Sequence, residues 1–467
     1  MRDPGSFRDP SAYIFSSGDR IFRAINEEAY RNFLLLKSSG AYDDLIGRGW
    51  IIAAQDASTD QAAANVIQRG RGESRLLEHP KLPFISYPYE WPFALLKRAA
   101  LLHLDIHLRA LDFDLTLSDA SAYNIQFIGI RPLFIDIPSF VPYRNGDYWS
   151  GQRQFVEQFV NPLLLRALFG ISHNAWYRGA LDGIPTGDIV TLIGWRKRWL
   201  APDLLTNITL PDLMQRRARW TSDRPSRDAK PLPKAALQMV LRRLRRWIGG
   251  LAPKDVGPTE WQQYESGNTS YSDSEESRKR DFIGRFSQAH APSRAWDLGC
   301  NTGRYSQALL QNQTRSVVGL DSDLNALESA VTRAADASLH FLPLFCDAAN
   351  PSPGQGWAEI ERSGLGSRSD ADAVIALAIV HHLAIGRNVP LLSVVEWLVG
   401  LAPRGVIEFV PKSDLMIQRM LRLRRDVFDD YGSGPFEQGL SRRARIVRRL
   451  ELTPGGRTLY EFERLAG

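Results

Sequence analysis

Apolar and polar positions follow two different rhythms in the two halves of this chain. In the first half, Tyr13–Ile25 alternates with period two around Ser17-Gly18-Asp19, which predicts a β-hairpin. Glu27–Leu36 and Tyr42–Ile46 have helical spacing, while Gly49–Gln55 and Phe84–Tyr89 are short apolar runs expected as strands. Asp56–Gly72 is polar and reads as a loop. Trp91–Leu111 repeats Leu95, Leu96, Ala99, Leu102, Leu104 and Leu108 and predicts a long amphipathic helix. Gln152–Leu168 predicts another, and Tyr177–Leu192 and Trp195–Trp199 predict shorter elements. In the second half, apolar runs ending at Asp297, Asp321, Leu344, Leu377 and Val410 alternate with the helical segments Arg304–Leu310, Asn325–Ala334 and Val389–Leu401. Ala444–Leu452 and Thr458–Phe462 flank Pro454-Gly455-Gly456 and read as a terminal hairpin. Strands alternating with helices describe an α/β domain.

Between the halves, Arg216–Lys234 is basic and proline-rich, as an exposed connector would be. Ala235–Ile248 is amphipathic: Leu237, Leu241, Leu244 and Ile248 share one side, and Arg242, Arg243, Arg245 and Arg246 lie mostly on the other. Such a helix suits a membrane surface or a phosphate path, but a charge run more often marks a solvated face over a packed one. The expected divisions are 1–230, a linker helix at 231–258, and 259–467. A length of 467 residues accommodates two domains or more.

Composition narrows the classes. The net charge of +6 permits an acidic partner without demanding nucleic acid at this length. Two cysteines, Cys300 and Cys346, are too few for a disulfide framework or a zinc site and fit a reducing compartment. The first residues lack the apolar core of a signal peptide, and the apolar run Ala373–Val380 is too short to span a bilayer. The expectation is a cytoplasmic protein with no transmembrane segment.

The densest chemistry lies in Ala295–Gly303, AWDLGCNTG, and its continuation to Asp321. A glycine turn between strand and helix lets the backbone approach a ligand. An acid at the tip of the next strand can accept hydrogen bonds from both ribose hydroxyls. Gly299-x-Asn301-x-Gly303 lacks the middle glycine that admits a pyrophosphate, and Asp297 would repel one. A ligand with a ribose, an ammonium group and no phosphate fits better, which favours S-adenosyl-L-methionine over NAD.

Asp297-Leu298-Gly299-Cys300-Asn301-Thr302-Gly303 resembles motif I of the class I S-adenosylmethionine-dependent methyltransferases, in the variant with Asn at the centre. The resemblance covers about 260–467. It implies a seven-stranded Rossmann-like sheet with the last strand antiparallel. It also implies cofactor contacts from Asp297, Gly299, Cys300, Asn301, Gly303, Asp321, Ser322, Asp347, Ala348 and Leu377, with Asp347 toward the adenine amino group. No metal is implied. The family's fourth strand delivers residues to the acceptor, so His381 or His382 is placed to take a proton from a hydroxyl or amine. Glu408, among apolar neighbours, needs a partner and would bind a substrate cation or hold a histidine. Tyr264, Tyr271 and Lys279, from the segment before the motif, are candidates to face the cofactor. The whole chain also resembles bacterial methyltransferases of nodulation and surface-polysaccharide contexts. The methyltransferase-kinases that cap O-antigen chains are a second likeness, with the domain order reversed. Both imply a saccharide or small hydroxylated metabolite as acceptor, with the N-terminal domain helping to bind it.

In the first half, Asp119, Asn124 and Asp136 resemble the catalytic Asp, metal-binding Asn and second metal-binding Asp of protein kinases. This implies an α+β kinase-like domain, with ATP and Mg²⁺ as its ligands. The pattern departs from that family: there is no glycine-rich loop, Arg23 stands where a lysine is expected, Leu117 replaces the histidine, and Ile137-Pro138 replace Phe-Gly. Arginine is not equivalent to lysine at such a site, so the domain is expected to be degenerate. The alternative reading is that Asp119 and Asn124 only cap a turn. The rival functions are a bifunctional kinase-methyltransferase, a nucleic-acid methyltransferase using Ala235–Ile248 as an arm, and a non-catalytic S-adenosylmethionine-binding regulator.

Overall fold

The computed structural model describes residues 2–60, 75–214, 231–254, 273–422 and 425–465. Tyr264, Tyr271, most of the Asp56–Gly72 loop and most of the Arg216–Lys234 connector lie outside them. The chain forms two compact units. One comprises 1–255 with 354–362; the other comprises 256–353 with 363–467.

In the first unit the expected hairpin is β1 (Ala12–Ser17) and β2 (Arg20–Ile25), turned at Gly18, whose φ of +60° suits glycine. Phe15 and Phe22 stack across it at 5.4 Å. With β3 (Gln55–Asp56) and β4 (Arg75–His79) it makes an antiparallel sheet in the order β1-β2-β4-β3. Of the expected strand Gly49–Gln55, only an isolated bridge at Ile51 and the start of β3 form. Phe84–Tyr89 is no strand: the Gln126 side chain bonds both Ser86 N (2.9 Å) and Ser86 O (3.0 Å), taking the place of a neighbouring strand.

The long helix Phe93–Asp112 buries twelve residues, His103 and His107 among them. Two short antiparallel pairs follow it, β5 (Leu115–Leu117) with β8 (Phe140–Pro142) and, between them in the chain, the hairpin β6 (Ile125–Ile128) with β7 (Arg131–Phe134). The helix at 152–169 forms as expected, with a wider turn at Val156–Val160.

Helix Lys234–Gly250, expected as a linker, belongs to this first unit. Leu237, Leu241, Leu244 and Ile248 are buried, and the helix packs along Phe93–Asp112. Residues 354–362 also group with this unit. There the buried Glu361 takes two hydrogen bonds from Arg8, at 2.7 and 3.0 Å.

The second unit is a seven-stranded sheet, β11-β10-β9-β12-β13-β15-β14. Its members are β9 (Ala295–Leu298), β10 (Val317–Asp321), β11 (Phe341–Phe345), β12 (Ala373–Ala376), β13 (Arg404–Phe409), β14 (Ala444–Glu451) and β15 (Thr458–Arg464). Strands β9 to β13 pair in parallel, and β15 runs antiparallel to both β13 and β14. All four residues of β9 and of β12 are buried, as central parallel strands require. The chain leaves β9 toward β10 on one side and returns to β12 on the other. The sheet thus reverses direction beside β9, and ligands of open α/β sheets sit beyond the strand ends at such a point.

Candidate functional site

The register brings the strand ends together: Leu298 pairs with Leu320, Asp321 with Phe345, and Ala376 with Leu298. Beyond them lies a cavity of about 400 Å³ within the second unit. Gly299, Cys300, Asn301, Asp321, Ser322, Asp347, Ala348, Leu377, His381 and His382 line it.

The turn itself is built by positive φ values at Gly299 (+72°), Asn301 (+48°) and Gly303 (+79°). Asn tolerates that region better than most side chains. A side chain at Gly303 would meet the Phe341 ring at 2.4 Å, so this glycine serves packing and does not line the cavity. Asn301 N donates to Asp321 Oδ2 at 2.8 Å, and Asp323 N donates to Asp321 Oδ1 at 2.8 Å. The turn and the acid are thereby locked to one another.

Asp297 lies beneath the cavity and does not line it. Ser306 Oγ donates to it at 2.5 Å, and burial pushes its carboxyl up to about 7. Burial also raises Asp321. Neither acid has a cationic side-chain partner among the described residues.

The other charged groups of the wall are paired. Arg304 binds Glu276. Arg387 Nη2 reaches Asp347 Oδ2 at 3.1 Å, and Ala349 N reaches Asp347 Oδ1 at 3.0 Å. Lys279, on helix Asp273–His290, lines the cavity over the Tyr305 ring and donates to Glu408 Oε2 at 2.6 Å. Glu408 is fully buried, does not line the cavity, and has Arg457 Nη1 at 3.8 Å. The expectation for Glu408 was a substrate cation or a histidine; in the structure Lys279 answers its charge from within the fold. Glu276, Arg304, Tyr305 and Arg387 were not found from the sequence. Their partners are remote or sit on another element, so no local spacing marks them.

His381 and His382 stand with ring centroids 4.0 Å apart at the start of the turn His382–Gly386. Burial pushes both below the ordinary imidazole value, His382 to about 4. Both rings are therefore neutral at pH 7. His381 Nδ1 is buried without a hydrogen-bond partner among the described residues, and both histidines line the cavity.

In the first unit Asp119, Asn124 and Asp136 also meet. Asn124 Nδ2 donates to Asp119 Oδ2 at 2.7 Å and to Asp136 Oδ2 at 3.3 Å. Arg23 caps the cluster, binding the Asp136 carboxylate through one nitrogen and Ile135 O at 2.9 Å through the other. Behind it, the buried His103 sits 3.4 Å from Asp119 O.

No protein-family model matches the chain. It is 46% identical over 468 residues to the nodulation protein NoeA of Rhizobium meliloti strain 1021, spanning 99% of this chain and 96% of that protein. The chain belongs to the NoeA family. The family's shared length includes both units. Solved structures show weaker likenesses. The N-methyltransferase NodS of Bradyrhizobium japonicum WM9 is 13% identical with a TM-score of 0.31, covering 41% of this chain and 97% of that one. The magnesium protoporphyrin IX methyltransferase ChlM of Synechocystis PCC 6803, solved with S-adenosylmethionine, is 17% identical with a TM-score of 0.31, covering 44% and 90%. At those scores the functional reading of this NoeA-family chain rests on its own site.

Proposed function

We propose that the second unit binds S-adenosyl-L-methionine in this cavity and methylates a saccharide or small hydroxylated metabolite, on oxygen or nitrogen. One observation carries the reading. At a glycine turn beyond the strand ends, Asp321 and the underlying Asp297 have no salt-bridge partner among the described residues, while the neighbouring charged side chains are paired. A cationic ligand with a ribose supplies what this wall lacks. When bound, it contributes a methyl group on a positively charged sulfur.

Asp321, with one backbone N–H on each oxygen, keeps lone pairs to accept the ribose hydroxyls. Asp347 and Ala348 flank the position for the adenine edge, and Leu377 closes the pocket beside them. His381 or His382 takes the acceptor's proton, and the buried walls hold the reactants in line and exclude water. Incubating the full chain with methyl-labelled S-adenosylmethionine and a panel of saccharides tests this. Label transfer abolished in Asp321→Ala, and reduced about 100-fold in His381→Ala, supports it. No transfer to any acceptor, with binding intact, leaves the regulator reading instead.

A second reading applies to the first unit. The convergence of Asp119, Asn124 and Asp136 favours a kinase-derived cleft, and the arginine on Asp136 favours one that no longer transfers phosphate. ATP binding that requires Mg²⁺ and is lost in Asp136→Ala would restore the bifunctional reading.

A further inference from the structure

One surface of the first unit breaks the ordinary rule for surface helices. The helix Trp195–Leu200, WRKRWL, buries none of its described side chains. Trp195 is 66% exposed, Leu200 79%, and Trp199, one turn after Trp195, is also exposed. The next helical stretch, 202–214, buries Ile208, Thr209 and Asp212 but exposes Leu210, Leu213 and Met214. Thr209 Oγ1 donates to Arg198 O at 3.2 Å and joins the two stretches. Soluble chains expose single apolar side chains freely, but clustered large ones mark a contact surface.

Basic groups frame this cluster. Arg243 Nε reaches Asp203 Oδ1 at 2.9 Å, which sets the outer face of helix Lys234–Gly250 beside it. That face carries the exposed Met239, Val240, Arg242 and Arg246. Arg196, Arg242 and Arg246 have no carboxylate partner among the described residues. The inner face of the same helix is buried, so its leucines cannot insert anywhere else.

We propose that this face of the first unit seats on an anionic lipid surface, with Trp195, Trp199 and Leu200 entering the headgroup boundary and Arg196, Arg242 and Arg246 meeting lipid phosphates. Tryptophan beside arginine is the composition that membrane interfaces favour. A nucleic acid would satisfy the arginines and leave Leu200 and Met214 uncovered. A protein partner would satisfy the apolar groups without needing unpaired arginines.

Flotation of the full chain with vesicles tests the proposal. Wild type should float with phosphatidylglycerol–phosphatidylcholine vesicles, not with phosphatidylcholine alone, and should detach as salt screens the arginines. Trp195→Ala/Trp199→Ala should lower binding about tenfold or more, with an unchanged melting temperature because neither side chain is buried. Arg242→Glu/Arg246→Glu should remove the preference for anionic lipid. Absence of flotation overturns the proposal, as does flotation equal in wild type and both variants. A dimer dispersed by the tryptophan substitutions gives the face to a second copy. RNA binding lost with the arginines, without vesicle binding, gives it to nucleic acid.

Discussion

Each unit gathers acidic side chains in a place that sequence motifs single out, and the two gatherings differ in how their charge is answered. In the first unit Asp119, Asn124 and Asp136 are closed by Arg23, so the cluster is complete without a ligand. In the second, Asp297 and Asp321 are held, among the described residues, by backbone N–H groups and a serine hydroxyl, and burial raises both. Charge satisfied inside the fold points to structure. Charge held in place without a counter-ion points to a ligand that brings one.

The largest expected effect breaks the closed cluster. Arg23→Met leaves Asp136 without its cation and should lower stability in urea by about 3 kcal/mol. S-adenosylmethionine affinity should stay within about twofold, as expected of a separate unit. A stable Arg23→Met protein that gains Mg²⁺-ATP binding would turn the cluster into a site.

Asp321→Ala acts on the open cluster. It should weaken S-adenosylmethionine about 100-fold, or about 2.7 kcal/mol. The ligand-free melting temperature should fall only slightly, because the loss of an acceptor for Asn301 N and Asp323 N is offset by removing an acid that burial disfavours.

Asp297→Asn sharpens the contrast through pH. The folded value of about 7 lies above the ordinary 3.8, so the fold favours the protonated acid. Stability of the ligand-free unit from this group is full below about pH 4. It declines as pH rises through 7, at up to about 1.4 kcal/mol per unit. The asparagine variant should flatten that decline in melting scans. Binding of a cationic ligand to wild type should strengthen over the same range, because it favours the carboxylate.

The smallest effect is expected at the rim. Arg387 is largely exposed, and Arg387→Ala should change stability by less than about 1 kcal/mol. Its effect on cofactor affinity should be a few fold at most, read in the same titration as Asp321→Ala.

Much of this was legible in the sequence where the signal is local. The hairpin alternates around Gly18, and the strand-turn-helix at Gly299–Gly303 repeats a known order. The strand ending at Asp321 and the loop residue Asp347 after the next strand follow at regular intervals, and both line the cavity. What was not legible depends on pairs far apart in the chain. Glu408 read as a partner for a substrate cation or a histidine because nothing near it in the chain reveals Lys279. Phe84–Tyr89 read as a strand because its pattern does not show that Gln126 satisfies its backbone. The arginines of Ala235–Ile248 drew attention, but its leucines decide its place, packed within the first unit.

The most direct test is calorimetric titration of the full chain with S-adenosylmethionine, beside Asp321→Ala and beside ATP with Mg²⁺. The account predicts saturable binding of S-adenosylmethionine that is lost in Asp321→Ala, and no heat from ATP. Absence of S-adenosylmethionine binding, or equal binding by the variant, would contradict it.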